Sequence, residues 1–240
     1  MTQTTTTVKP LRTTPVELVV LDMAGTTVRD DGIVEQAFQR AAEATGVAAR
    51  MSWEEALAYV RETMGQSKIE VFTHLSGGDV ALATRATAAF ETAYEALIDE
   101  TGVEPVSGAE ETLRRLRAAG LSVALTTGFS PVTRDAILRQ LDWASLVDVA
   151  LSPVDAGRGR PFPDLVLASI LRTGASAVSS AVVVGDTASD VRSGRAAGAG
   201  IVAGVLSGAH DRATLEAAGA DAVLADVTGL PALLGLDAHA

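Results

Sequence analysis

The segment "VELVVLDM" is a nearly unbroken apolar, β-branched run of strand length, and its lack of polar alternation predicts a central parallel strand. It delivers Asp22 to the polar turn "AGTT". From Ile33 to about Gly102 the pattern takes a helical period through "IVEQAFQRAAEATG", "SWEEALAYVRETMG", a short piece around Lys68 and "DVALATRATAAFETAYEALIDETG". Ser52 and Glu55 form a capping box at the start of the second of these. Beyond Pro105 helices alternate with the strands "LSVALTT", "LVDVAL", "SAVVVGD", "GIVAGVL" and "ADAVLA". That alternation predicts right-handed crossovers and a parallel sheet covered on both faces. The expected fold is α/β: a doubly wound parallel sheet from residues 15–32 and 103–240, with an all-helical domain, residues 33–102, inserted after the first strand. Such sheets bind ligands beyond the carboxyl ends of their strands, so the residues to read for chemistry are Asp22–Thr27, Thr126–Gly128, the "GRGRP" loop and "GDTASD".

Composition narrows the function classes. A 48% hydrophobic chain of 240 residues can bury a substantial core. With 19 basic against 30 acidic side chains the net charge is -11, which disfavours nucleic acid and anionic membrane partners. Cysteine is absent, so disulfides, thiolate metal sites and cysteine nucleophiles are excluded, and a cytoplasmic location is expected. Residues 1–14, "MTQTTTTVKPLRTT", have no apolar signal region and are expected to be a disordered tail. Lysine occurs only at Lys9, in that tail, and at Lys68. A primary amine can lose its proton and become a nucleophile where a guanidinium cannot. A single lysine on a solvated helix is the plainer explanation.

The strand ends supply candidate chemistry. Asp22 follows one strand, while Asp186 and Asp190, four apart in "GDTASD", follow another. Alone the pair reads as helix capping; beside Asp22 it makes three carboxylates in one crevice, which a hard cation with oxygen ligands would relieve. Thr126 and the "TTG" backbone offer donors to phosphate oxygens, and Arg160 offers a fixed cation with a fork of donors. His210 in a polar loop and His239 near the C-terminus pair with no evident serine, so a serine-hydrolase triad has no support. Trp53, Trp143, Tyr59 and Tyr94 read as packing residues.

Over residues 16 to 235 the sequence resembles the haloacid dehalogenase superfamily, through Asp22, Thr126, Arg160 and the paired Asp186 and Asp190. The resemblance implies a Rossmann-like core, a helical cap and attack of Asp22 on phosphorus to give an aspartyl-phosphate. It also implies Mg²⁺ held by Asp22, Asp186 and the Ala24 backbone carbonyl, with Asp190 in the outer shell or acting through water. "DMAGTT", "MGQSK", "TTGF", "GRPFP" and "VGDTASD" are similar to the motifs of that superfamily's phosphonatase branch. There the usual acid two residues after the nucleophile is alanine, here Ala24, and a cap lysine, here Lys68, forms a Schiff base with the substrate aldehyde. By that resemblance Gly25, Thr26, Met64, Thr127 and Gly128 bind substrate, a small phosphonate such as phosphonoacetaldehyde or a similar 2-oxoalkylphosphonate. A homodimer through the cap is a further expectation. Lys68 stands among Met64, Ile69, Val71 and Phe72, an apolar setting that could desolvate it. The branch places a histidine where this chain has Val71 and a tyrosine where it has Phe129; His74 falls on a different helical face. The alternatives are a phosphatase of small phosphate esters and a non-catalytic phosphate-binding module.

Overall fold

The computed structural model describes residues 14–236; residues 1–13, with Lys9 and nearly all of the expected tail, and residues 237–240, with His239, lie outside the described residues. Strand β1 (Leu18–Asp22) is buried along its whole length. The chain next forms the four helices of the insert: α1 (Ile33–Thr45), α2 (Trp53–Glu62), α3 (Lys68–Leu75) and α4 (Val80–Thr101). The expected capping box starts α2, where the Glu55 amide donates to the Ser52 hydroxyl and the Ser52 amide donates to the Glu55 carboxylate. α1 and α3 both pack on α4. Phe38, Phe72 and Phe90 meet at that junction, with ring centroids 5.0 Å apart for Phe38–Phe72 and 4.7 Å for Phe38–Phe90.

Alternation then sets in with α5 (Ala109–Ala118), β2 (Ser122–Thr126), α6 (Pro131–Gln140) and β3 (Val149–Leu151). A one-turn helix, α7 (Pro153–Ala156), is the element the pattern does not announce. It forms because Pro153 presets the first helical position and Ser152 and Asp155 make a second capping box. After it come α8 (Asp164–Thr173), β4 (Ala181–Gly185), α9 (Ala188–Ala197), β5 (Ile201–Val205), α10 (Arg212–Ala218), β6 (Ala222–Leu224) and α11 (Leu230–Leu233). The six strands pair in the order β3-β2-β1-β4-β5-β6, every pair parallel.

Val20 lies opposite Ala124 and Val183, and Leu21 opposite Leu125 and Val184. One face of the sheet therefore buries Leu18, Val20, Ala124 and Val183, and the other buries Val19, Leu21, Val123 and Val184. The second of these apolar clusters runs on without a break into Phe38, Phe72 and Phe90 of the inserted helices. In this strand order the topological switch point lies between β1 and β4, and the crevice opens at their carboxyl ends, where Asp22 and Asp186 stand. No helix among the described residues is long and apolar enough to cross a membrane.

Candidate active site

Three carboxylates meet at the switch point. Asp22 closes β1, Asp186 follows β4, and Asp190 stands in the first turn of α9, where its carboxylate completes a capping box with Thr187. One ligand oxygen from each lies within 4.8 Å of the others. The approach requires a glycine at the end of β4, because a Cβ on Gly185 would come within 2.2 Å of the Asp190 carboxyl carbon. Thr26 Oγ1 donates to Asp186 Oδ1 at 3.1 Å and the Ala209 amide donates to Oδ2 at 2.8 Å. Arg160, from the loop before α8, is the local counter-charge: its Nη1 donates to Asp22 Oδ1 at 2.5 Å and also to Asp190.

One guanidinium does not neutralise three acids. Burial pushes Asp22 up to about 7, with the Arg160 charge pulling against it and Asp190 adding to it. Burial and the neighbouring Asp22 and Asp190 hold Asp186 well above the usual carboxylate range. A hard divalent cation fits this donor set, because it supplies the missing positive charge to oxygen ligands that are already converged. No hydrogen bond reaches the Ala24 carbonyl oxygen among the described residues, so it too is free to serve as a ligand.

Arg160 also has two donors to spare: its Nε and Nη2 are buried without a partner among the described residues. Arg160 lines a small cavity of about 40 Å³ together with Asp22, Ala24, Lys68, Thr127 and Gly128. An anion with several oxygens would satisfy donors left orphaned in this way. Thr127 Oγ1 accepts from the Phe129 amide at 3.2 Å, which leaves its hydrogen available to such an oxygen.

Lys68 is the first residue of α3 and is buried. Its Nζ stands 5.2 Å from the ring centroids of Phe38, Phe90 and Phe129 alike. This box of phenyl faces shields the amine from water while attracting its cationic form. Burial is the larger influence and lowers the amine from 10.5 to about 8, against the opposing charges of Glu91 and Asp30.

The inserted helices close on the core at several points. Glu91 of α4 accepts from the Ser130 amide at 3.2 Å, from the Ser130 hydroxyl at 2.7 Å and from Thr133. His210 bridges the other side, with Nδ1 accepting from the Ala188 amide at 2.9 Å and Nε2 lying 3.1 Å from the Arg61 carbonyl. Between them the Gly65–Gln66 loop lies flat on the core. A Cβ on Gly65 would stand 2.6 Å from Thr187 Oγ1, and one on Gly128 would stand 2.6 Å from the Gln66 carbonyl oxygen.

Most residues singled out in the sequence converge here: Asp22, Ala24, Gly25, Met64, Lys68, Thr127, Gly128, Arg160 and Asp186 all line the cavity, and Asp190 stands behind Arg160. Thr126 ends β2 in register with Asp22, which sets the two side chains on the same face of the sheet, and Thr127 follows it into the cavity lining. The Thr26 hydroxyl holds Asp186 in place. The apolar surroundings of Lys68 differ from the expected ones, because the enclosing rings come from α1, α4 and the loop after β2 instead of from its sequence neighbours. Sequence reasoning missed Asp30, Glu91 and the bridging role of His210. The acidic run "RDDG" at the entry to α1 was the one signal for Asp30.

Comparison with known proteins gives the family and the fold. Phosphonoacetaldehyde hydrolase of Bacillus cereus is 32% identical over 108 residues, a match that spans 45% of this chain and 40% of that protein, so the chain spans about two fifths of the length of the curated relatives it matches. A phosphonoacetaldehyde hydrolase-like protein from Oleispira antarctica has the same fold, with a TM-score of 0.79 and 23% identity over 92% of each chain. A hydrolase from Deinococcus radiodurans with bound phosphate and sodium is 27% identical with a TM-score of 0.64, covering 93% of this chain and 97% of its own. The haloacid dehalogenase-like hydrolase family model matches residues 16–198, and the chain belongs to that family of hydrolases.

Proposed function

We propose that this chain is a Mg²⁺-dependent hydrolase of the carbon–phosphorus bond in phosphonoacetaldehyde or a similar 2-oxoalkylphosphonate. The observation that carries the reading is Lys68: a buried amine in a box of three phenyl rings, lowered to about 8, sharing one small cavity with Asp22. A phosphate ester sheds an oxygen, which an acid can protonate. A phosphonate must shed carbon, and Ala24, two residues after Asp22, offers no acid at all. An iminium on the carbonyl carbon accepts the electron pair of the breaking bond as an enamine, so an amine is the group this chemistry needs.

In this mechanism neutral Lys68 adds to the aldehyde and, with loss of water, forms the iminium. Asp22 then forms an O–P bond as the C–P pair moves into the enamine. Arg160 Nε and Nη2, Thr127 and the Gly128 backbone hold the phosphonate oxygens. Bound at Asp22, Asp186 and the Ala24 carbonyl, Mg²⁺ would neutralise the charge of nucleophile and phosphonate. Water subsequently releases phosphate from Asp22 and the carbonyl product from Lys68. The cavity lies between the inserted helices and the strand ends of the core, so movement of the cap would admit substrate and then exclude water.

The deciding experiment is reduction with borohydride in the presence of phosphonoacetaldehyde and Mg²⁺, followed by peptide mapping. The expected result is one stable adduct, on Lys68. Release of phosphate from small phosphate esters with no adduct on Lys68 would assign the enzyme to ester hydrolysis instead.

Mg²⁺ is also expected to raise the melting temperature, and more at pH 8 than at pH 6. The reason lies in Asp22: its folded value of about 7 is above the ordinary 3.8, so the metal-free fold retains a proton there that the unfolded chain has released. That stabilisation is present at low pH and is lost as pH rises through 7. Metal binding requires the proton to leave, so its contribution grows over the same interval, reaching about 2.7 kcal/mol when the metal is at a hundred times its dissociation constant. Thermal melts with and without Mg²⁺ at the two pH values measure the difference; an equal shift at both would refute the linkage.

A further inference from the structure

The imine half of such a reaction needs a proton donor and acceptor at the carbonyl carbon, and α3 supplies none. Val71, one turn along from Lys68, is buried and apolar, while His74 is exposed and stacked on Tyr59 with ring centroids 3.8 Å apart. Glu91 is engaged by Ser130 and Thr133. Asp22 and Asp186 belong to the phosphoryl side of the cavity. One titratable group remains. Asp30 lines the inner cavity together with Lys68, and it also lines the outer pocket of about 670 Å³, so it stands at the neck between the two. Met64, Gly208 and Ala209 share that neck. One oxygen of Asp30, Oδ1, accepts from the Val34 amide at 3.0 Å, and the other has no hydrogen-bond partner among the described residues.

We propose that Asp30 is the acid–base catalyst of the carbonyl half of the reaction, acting from the neck of the cavity on the adduct that Lys68 forms. The proposal rests on the Lys68 imine described above. When the amine has added to the aldehyde, the carbinolamine oxygen takes the proton of the Asp30 carboxyl and departs as water while the nitrogen pair forms C=N⁺. After phosphorus has passed to Asp22, the water that cleaves the aspartyl-phosphate releases a proton that recharges the Asp30 carboxylate, and the enamine pair takes that proton onto carbon. Water then adds to the resulting iminium and its proton returns to Asp30 as Lys68 is freed and the carbonyl product leaves. No oxidant or further reactant enters.

Electrostatics is consistent with this work. Burial raises Asp30 above its ordinary 3.8, with the Val34 bond and the Lys68 charge opposing the rise and Glu35 and Asp31 reinforcing it. Tyr94, from α4, faces the same carboxylate and is itself raised by burial. A carboxyl raised above its ordinary range holds a proton more readily than a solvated one and can return it during turnover.

A purely structural role, capping α1 through Val34, is separable by experiment. Asp30→Asn preserves the acceptor for the Val34 amide and removes the acid. With phosphonoacetaldehyde and Mg²⁺ it is expected to lower kcat by roughly 10²- to 10³-fold, with KM changed less than about threefold, at an unchanged melting temperature. Because the neck opens to the outer pocket, formate should restore at least about tenfold activity to Asp30→Ala; Asp30→Glu takes its place if that variant does not fold. A kcat for Asp30→Asn within about threefold of wild type, alongside a wild-type Lys68 adduct, overturns the role of Asp30 alone. So does a loss in Asp30→Asn when formate fails to restore a folded Asp30→Ala or, where Asp30→Ala does not fold, when Asp30→Glu is as inactive as Asp30→Asn. Absence of any Lys68 adduct in the wild type overturns the imine reading, and this proposal with it.

Discussion

Replacing Lys68 with arginine is expected to lower phosphate release from phosphonoacetaldehyde by at least about 10⁴-fold, the scale on which loss of a covalent catalyst is felt. The guanidinium keeps the charge but cannot shed a proton to attack a carbonyl. Lys68→Met separates chemistry from folding, because methionine suits a box of three phenyl rings. It should be equally inactive and yet more stable than the wild type at pH 7. The wild-type amine is lowered to about 8 in the fold, so below that pH the buried charge costs on the order of 3 kcal/mol. The unfolded chain holds the extra proton between about 8 and 10.5, and the penalty fades across that interval. Denaturant titrations at pH 7 and pH 10 should therefore show the advantage of Lys68→Met shrinking with pH. Turnover of phosphonoacetaldehyde by Lys68→Arg within tenfold of wild type would end the case for an imine.

Asp22→Asn is the second large effect, and it should divide the reaction in two. The amide is not a competent nucleophile toward phosphorus, so phosphate release is expected to fall by at least about 10⁴-fold with every substrate. Imine formation precedes attack on phosphorus, so borohydride should still label Lys68 in this variant. Lys68→Arg should show the opposite pairing, with an intact Asp22 and no label. Residual phosphate release from Asp22→Asn above about 1% of wild type, after exclusion of deamidation by mass spectrometry, would remove Asp22 from the nucleophile's role.

What could be read from the sequence followed from the rule that a doubly wound sheet gathers chemistry at its strand ends. Asp22, Asp186 and Arg160 each follow a strand, so their convergence needed only the topology. Thr126 follows from the same rule, since it ends β2 level with Asp22. The phenyl box was hidden from that rule. Phe38, Phe90 and Phe129 lie on α1, α4 and a core loop, and each reads as ordinary core from its own neighbourhood. Asp30 was masked by its company, since "RDDG" has the look of a solvated turn until the fold sets it at the neck of a cavity.

The flat contact between the Gly65–Gln66 loop and the core has a meaning for how this enzyme can change over generations. A single methyl group at Gly65 or Gly128 would wedge the two halves apart, whereas Phe129 or Met64 could be exchanged for other large side chains at the cost of reshaping the chamber. Divergence toward new substrates is thus channelled into the residues that fill space. The positions with the least room for a side chain are those that carry none.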